Sequence, residues 1–165
     1  MASKVILLNG ASSSGKSTLA EALKKYIKEN KKEEFEIVSI DDFLEMTTDQ
    51  PIYEDDVFEI SRQLCQKVLG ILKTGRGVIV DHVITSERIY KQLTEAVKGY
   101  TLITVHITCP FDELEKREKK RRDRWIGSAK SSWEYLYPQN GYDLTLNTFE
   151  LSPQECAEKI CERFD

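Results

Sequence analysis

No two of the four cysteines stand in a CxxC arrangement, and neither His82 nor His106 has a second ligand at metal-binding spacing. That pattern excludes a zinc ribbon or finger. Hydrophobic runs are short, and none approaches the ~20 apolar residues of a membrane span. The N-terminal MASKVILL stops at Asn9-Gly10, too soon for a secretory signal. Without an export signal, Cys65, Cys109, Cys156 and Cys161 are expected as reduced thiols of a cytoplasmic protein. Basic excess is also missing: the formal net charge is −4, which argues against nucleic acid or a membrane surface as partner. Repeats, low-complexity tracts and linkers are absent. The 165 residues are expected to form one domain, 1–165.

What remains is alternation. Lys4 to Leu8 reads as a buried strand, and Lys16 to Glu29 as a helix with Leu19, Ala20, Leu23 and Ile27 on one face. Phe35 to Ile40 is a second strand. A helical stretch from about Glu54 to Leu72 follows, stopped by Gly75-Arg76-Gly77. Val78 to Val80 is a third strand, Ser86 caps a helix to about Val97, and Tyr100 to Thr108 is a fourth strand. A charged helix is expected over Phe111 to Arg124, and a short fifth strand over Tyr142 to Leu146. Ser152-Pro153-Gln154-Glu155 opens the last helix with a capping box and a proline at its first position. Strands alternating with helices predict an α/β fold, a parallel sheet covered on both faces.

The first strand runs into Gly10-Ala11-Ser12-Ser13-Ser14-Gly15-Lys16-Ser17, which matches GxxxxGK[ST] between a strand and a helix. Small residues there let backbone N–H groups curl around a phosphate, and the helix from Lys16, with Thr18 also expected at the nucleotide, adds its positive end. Lys16 can neutralise the β and γ phosphates, and the Ser17 hydroxyl can join a Mg²⁺ shell. The loop therefore predicts a nucleoside triphosphate site for ATP and Mg²⁺. A GTPase is disfavoured, because neither NKxD nor DxxG occurs.

Three further groups complete the expected chemistry. Asp81 follows Val78-Ile79-Val80, where an acid can hold Mg²⁺ through water; the alternative is a cap on the next turn. Asp41 and Asp42 end the second strand, where ligands bind in open α/β sheets. A carboxylate there can orient an acceptor hydroxyl and take its proton, and Asp41 is favoured as the nearer to the strand. Arg117, Arg121 and Arg124 fall at i, i+4 and i+7 and would share one helical face. That stripe reads as a lid over about 112–140, closing on triphosphate, against the alternative of a solvated face paired with Glu113, Glu115 and Glu118.

The segments LNGASSSGKS, SIDDFLE, VIVDHV, REKKRRDRWIGSA, YDLTLNT and SPQECA together resemble the chloramphenicol phosphotransferase-like family of P-loop kinases. The resemblance implies a three-layer α/β/α P-loop fold with a five-stranded parallel sheet of the nucleoside/nucleotide-kinase-like type. It also implies ATP-dependent transfer of the γ-phosphate to a hydroxyl on a small molecule. The family's catalytic aspartate maps onto Asp41 and its lid arginines onto Arg117, Arg121 and Arg124. The chain departs from the family at His82, where a second acid is frequent, and at Asn147, where an aspartate is usual.

The segment from Leu44 to Phe58 is expected to hold the acceptor. Trp125, Trp133, Tyr135 and Tyr137 could stack on an aromatic acceptor or on adenine, or pack the lid. His82 reads as a hydrogen-bonded residue at a strand end and His106 as core. The rival enzyme is a nucleoside or nucleotide kinase; for a nucleoside monophosphate the acceptor phosphate would need an arginine, and outside the lid helix the candidates are Arg62 and Arg88, apart from Arg76 in the turn. The rival from another class is a nucleotide-binding switch that transfers nothing.

Overall fold

The computed structural model describes residues 3–44, 53–121 and 126–164. The central strand β1 (Lys4–Gly10) pairs in parallel with β3 (Gly77–His82) on one side and β4 (Thr101–Thr108) on the other. β2 (Phe35–Ser39) and β5 (Leu144–Asn147) take the two edges, giving the order β2-β3-β1-β4-β5, all parallel. Every β1 residue from Val5 to Leu8 is fully buried, so the strand needs apolar residues on both faces. Val5 and Leu7 join one core with Leu64, Val68, Ile89 and Leu93, from α2 (Glu54–Leu72) and α3 (Glu87–Ala96). Ile6 and Leu8 join the other with Leu19, Leu23 and Ile160, from α1 (Lys16–Lys31) and α6 (Pro153–Phe164). The expected three-layer α/β/α arrangement with five parallel strands is what the chain forms.

Caps fall where the sequence puts them. Ser86 Oγ accepts the Ile89 amide at 3.1 Å. Ser152 and Glu155 exchange reciprocal bonds, each 3.1 Å, at the start of α6. Among the described residues no helix is long and apolar enough to cross a membrane, and the four cysteines are buried and outside any disulfide.

Two expectations need correction. The second strand ends at Ser39, and Ile40–Asp42 form a turn of 3₁₀ helix, called η1 below, with Ser39 Oγ accepting the Asp41 amide at 3.3 Å. The charged helix, α4, spans Phe111–Lys120 and stops before Arg121, whose backbone is extended (φ −86°, ψ 150°). The cause is burial: Leu114 and Glu118 are the buried residues of α4, and the next positions on that face are Arg121 and Arg122. Both are charged, so the turn after Glu118 brings no apolar surface to hold the helix onto the domain. Arg117 and Arg121 are therefore not on one helical stripe, and Arg124 lies outside the described residues. A further helix, α5 (Ser128–Tyr135), follows where the sequence suggested no separate element.

Candidate active site

The parallel sheet brings the carboxyl ends of β1, β2 and β3 to one edge, and the loops leaving them build the site. Gly10 ends β1 beside β4, and a Cβ there would collide with the Ile107 carbonyl. Gly15 caps α1 at φ 96°, a left-handed conformation that suits glycine, and lies under Arg117 and Thr148. Between them the loop closes on itself with the Ser14 amide bonded to the Ala11 carbonyl at 3.1 Å. Lys16 is folded over the loop, donating to the Ala11 carbonyl at 2.9 Å and to Ser14 Oγ at 3.4 Å. The Ser13 hydroxyl is buried with no hydrogen-bond partner among the described residues. An orphaned hydroxyl in a glycine-bounded nest of amides fits a loop shaped to receive anionic oxygen.

Beside the loop, Ser17 Oγ donates to Asp81 Oδ2 at 2.7 Å, and Ser39 Oγ donates to the same oxygen at 3.4 Å. Asp81 is the fifth residue of β3 rather than the one after it, and is buried. Among the described residues no cluster of three metal-ligating side chains occurs. A hydroxyl and a carboxylate in contact are the oxygen donors that suit Mg²⁺, which keeps most of its shell for water and phosphate.

One cavity of about 720 Å³ joins these parts. Ser12, Ser13, Gly15, Lys16, Ser17 and Thr18 line its phosphate end, with Asp81, Arg117 and Arg121. Its other wall is made by Ile40, Leu44, Tyr53, Val57 and Val83, with Asp41 and Glu54 as its acids. Asp41 thus faces the same space as Lys16, whereas Asp42 is exposed and does not line it. Residues 45–52 of the expected acceptor segment lie outside the described residues.

Arg117 is fixed by its surroundings. Its guanidinium bonds Glu113 at 3.2 Å, Thr148 Oγ1 at 3.1 Å and the Ser13 carbonyl at 3.5 Å. Thr148 Oγ1 in turn donates to the Ser14 carbonyl at 2.6 Å. The loop after β5 is therefore tied to the phosphate loop through one threonine, a role that sequence reading did not assign to Thr148. On the opposite side, Ser132 of α5 accepts the Ser12 amide at 2.9 Å. Glu118 accepts from the Ala129 amide at 2.8 Å and from the Ser128 hydroxyl at 2.9 Å. Glu118 is buried, not part of a solvated face; of the three acids paired with the arginines in the alternative reading, Glu113 alone contacts Arg117. The available signal was Gly127-Ser128, a helix start with no good cap of its own.

The remaining candidates separate clearly. His82 is fully buried, 3.5 Å from Ser61 Oγ; burial, with the Lys16 charge second, pushes its pKa down to about 3. It is a neutral residue at ordinary pH. His106 is half-buried and stacks on Tyr142 with ring centroids 4.8 Å apart. Trp133 packs on Phe111 and Tyr137 on Tyr90, while Tyr135 lines the cavity. Trp125 lies outside the described residues. Arg88 is held by Glu54 and Asp55 and sits 4.0 Å over the Phe58 ring; those bonds hold the Glu54 carboxyl below its ordinary pKa. Arg62 pairs with exposed Glu59. Neither arginine lines the cavity.

Comparison with known proteins gives a consistent picture. The family model described as chloramphenicol phosphotransferase-like protein matches residues 3–165. The adenylyl-sulfate kinase of Pseudomonas aeruginosa is 30% identical over 161 residues, 94% of this chain and 82% of that protein. The APS kinase of Mycobacterium tuberculosis, solved with AMPPNP and APS, superposes with a TM-score of 0.79 at 20% identity, over 98% of this chain and 97% of that one. A gluconokinase from Sinorhizobium meliloti gives a TM-score of 0.68 at 15% identity, over 99% and 95%.

Proposed function

Since this chain belongs to the chloramphenicol phosphotransferase-like family and is a P-loop kinase, we propose that it transfers the γ-phosphate of Mg²⁺-ATP to a hydroxyl of a small molecule. The observation that carries this reading is that Asp41, Lys16 and Ser17 line one cavity. Asp41 orients the acceptor hydroxyl and takes its proton as the oxygen bonds to the γ-phosphorus and ADP departs. Lys16 and the loop amides neutralise charge on the phosphates. Ser17 and, through water, Asp81 would hold a Mg²⁺ ion, which would offset the charge of the phosphates. Arg117, beside Gly15 and Thr148, steadies the nucleotide, and Arg121 and Arg124 supply further positive charge from a lid over about 112–140.

The AMPPNP bound by the mycobacterial relative supports ATP as the donor. A switch that transfers nothing has no use for a carboxylate beside the phosphate loop. A nucleotide kinase is disfavoured because Arg62 and Arg88 do not line the cavity and are each paired with carboxylates.

ADP release and product mass measured over a panel of hydroxyl-bearing small molecules test the reading. Lys16→Ala is expected to lower turnover at least ~10²-fold, on the order of 3 kcal/mol, with the fold retained. Undiminished transfer in that variant would remove the phosphate loop from the chemistry.

A further inference from the structure

We propose that Asn9 is a positioning residue for phosphoryl transfer: its side-chain amide locks the wall after β3 to the segment returning from α5, beside the start of the phosphate loop. This rests on the kinase reading of the cavity. It adds the residue that fixes the cavity's walls to one another without lining the cavity itself.

Asn9 continues the face of β1 that carries Val5 and Leu7 into the core with α2 and α3. Like them it is fully buried. An amide in an apolar row is costly unless partners meet it, and here they come from far along the chain. Asn9 Oδ1 accepts the Ile84 amide at 2.9 Å. Its Nδ2 donates to the Tyr137 carbonyl and to Tyr142 Oη, each at 2.9 Å. The Tyr137 amide donates in turn to the Ile84 carbonyl at 2.9 Å. Asn9, Ile84 and Tyr137 therefore form a closed ring, each bonded to the other two. The side-chain amide stands in for a strand peptide between two segments that belong to no strand. Only one orientation of that amide works, because a backbone N–H only donates and a carbonyl only accepts. Tyr142 is held as well: its hydroxyl donates to the Pro138 carbonyl at 2.7 Å, and its ring stacks on His106, the register partner of Asn9 on β4.

Each arm of the ring ends at the cavity. Val83 and Thr85, on either side of Ile84, line it, and so does Tyr135, two residues before Tyr137. Gly10, next to Asn9, opens the phosphate loop. With the ring closed, these walls hold one spacing. With it open, the acceptor can shift against the γ-phosphate, and a displacement of about 1 Å costs on the order of 10²-fold in rate. The bonds that shape the phosphate loop, Ser14 to Ala11 and Thr148 to Ser14, do not pass through Asn9. Loss of the ring should therefore appear in transfer and not in nucleotide affinity.

The test compares the full chain with Asn9→Asp, which keeps size and an oxygen for the Ile84 amide but offers the Tyr137 carbonyl no N–H. Ile89→Ala serves as control: it loosens the same core outside the cavity lining and leaves the ring intact. On an alcohol that the parent chain phosphorylates, Asn9→Asp should lose at least ~10-fold in turnover while its AMPPNP dissociation constant stays within about 3-fold. Ile89→Ala should lower the melting temperature and keep its turnover. With AMPPNP bound, amide exchange at Tyr137 should rise at least ~10-fold in Asn9→Asp relative to the amides of β1, and not in Ile89→Ala. Should Asn9→Asp fail to fold, Tyr142→Phe, which removes one partner of Nδ2, carries the same comparison with an expected loss of a few-fold. Parent-like turnover and exchange in the folded variant, or losses that merely follow the melting temperature as in Ile89→Ala, would overturn the proposal. If the parent chain phosphorylates no alcohol, the kinase reading falls, and the exchange comparison alone decides whether Asn9 holds the walls together.

Discussion

The Glu118 carboxylate accepts the backbone N–H of Ala129 at 2.8 Å, so a side chain of α4 caps the N-terminus of α5. Gly127, at the position before α5, has no side chain to do so. A carboxylate at a helix N-terminus also meets the positive end of the helix dipole. Glu118→Ala strips a buried amide of its partner and is expected to cost about 1–3 kcal/mol of stability. Because α5 holds the Ser12 amide through Ser132, nucleotide affinity should fall as well. Glu118→Gln keeps an acceptor oxygen and should be milder in both respects. Denaturant melts and nucleotide titrations on the two variants check this; equal, wild-type values would show that α5 needs no cap from α4.

The contact between Ser17 and Asp81 makes a separate claim about metal. If these two oxygens help hold Mg²⁺, Asp81→Asn should raise the Mg²⁺ concentration needed for half-maximal turnover by roughly tenfold or more, since the negative donor is lost. Ser17 and Ser39 can still hydrogen-bond an asparagine oxygen, so the melting temperature should move little. A Mg²⁺ titration of ADP release reads the effect, and an unshifted midpoint would leave Asp81 as a strand-end cap.

How far the sequence spoke depended on the range of the interaction. The strands and caps were readable because Val5 to Leu8 and the Ser152–Glu155 box are set by neighbours in the chain. The phosphate loop was readable for the same reason: its glycines answer to local backbone geometry. The arginine stripe was misread because helical spacing says nothing about what a face packs against. The turn after Glu118, Lys119 to Arg122, is wholly charged; α4 ends at Lys120 and the Arg121 backbone is extended. Thr148 and Ser132 were not assigned because each meets the loop across more than a hundred positions, 134 for Thr148 to Ser14 and 120 for Ser132 to Ser12. No local pattern encodes such a contact.

His82 gives the fold an acid sensitivity of definite sign. Burial lowers its pKa in the folded chain to about 3, below the ordinary 6.5, so between those values the unfolded chain binds the extra proton. The stabilisation is full above about pH 6.5 and is lost as pH falls toward 3, with a slope of at most about 1.4 kcal/mol per pH unit. Replacing the ring by a side chain that does not titrate, His82→Gln, should flatten this part of the profile even if it lowers stability at neutral pH. Subtracting the two pH profiles of denaturant stability isolates the histidine from the carboxylates, which titrate in both proteins. Parallel profiles would mean that His82 titrates alike in the folded and unfolded chain.

The decisive residue is Asp41. Its carboxylate lines the cavity with Lys16, and its neighbour Asp42 does not. The two diverge because η1 turns the backbone immediately after Ser39, rather than through the alternation of an extended strand. If Asp41 takes the acceptor proton, Asp41→Asn preserves shape and hydrogen bonding yet cannot accept that proton. Turnover should fall ~10²–10⁴-fold while nucleotide affinity stays unchanged. A loose transition state, in which the hydroxyl becomes acidic late, puts the loss near the lower end of that range. Asp42→Asn, altering an exposed carboxylate outside the cavity, should leave turnover within a few-fold of wild type. Nucleotide titration together with product mass on an accepted alcohol compares both variants directly. A dead Asp42 variant beside an active Asp41 variant would assign the base to the other carboxylate. Two active variants would require a proton acceptor elsewhere in the cavity.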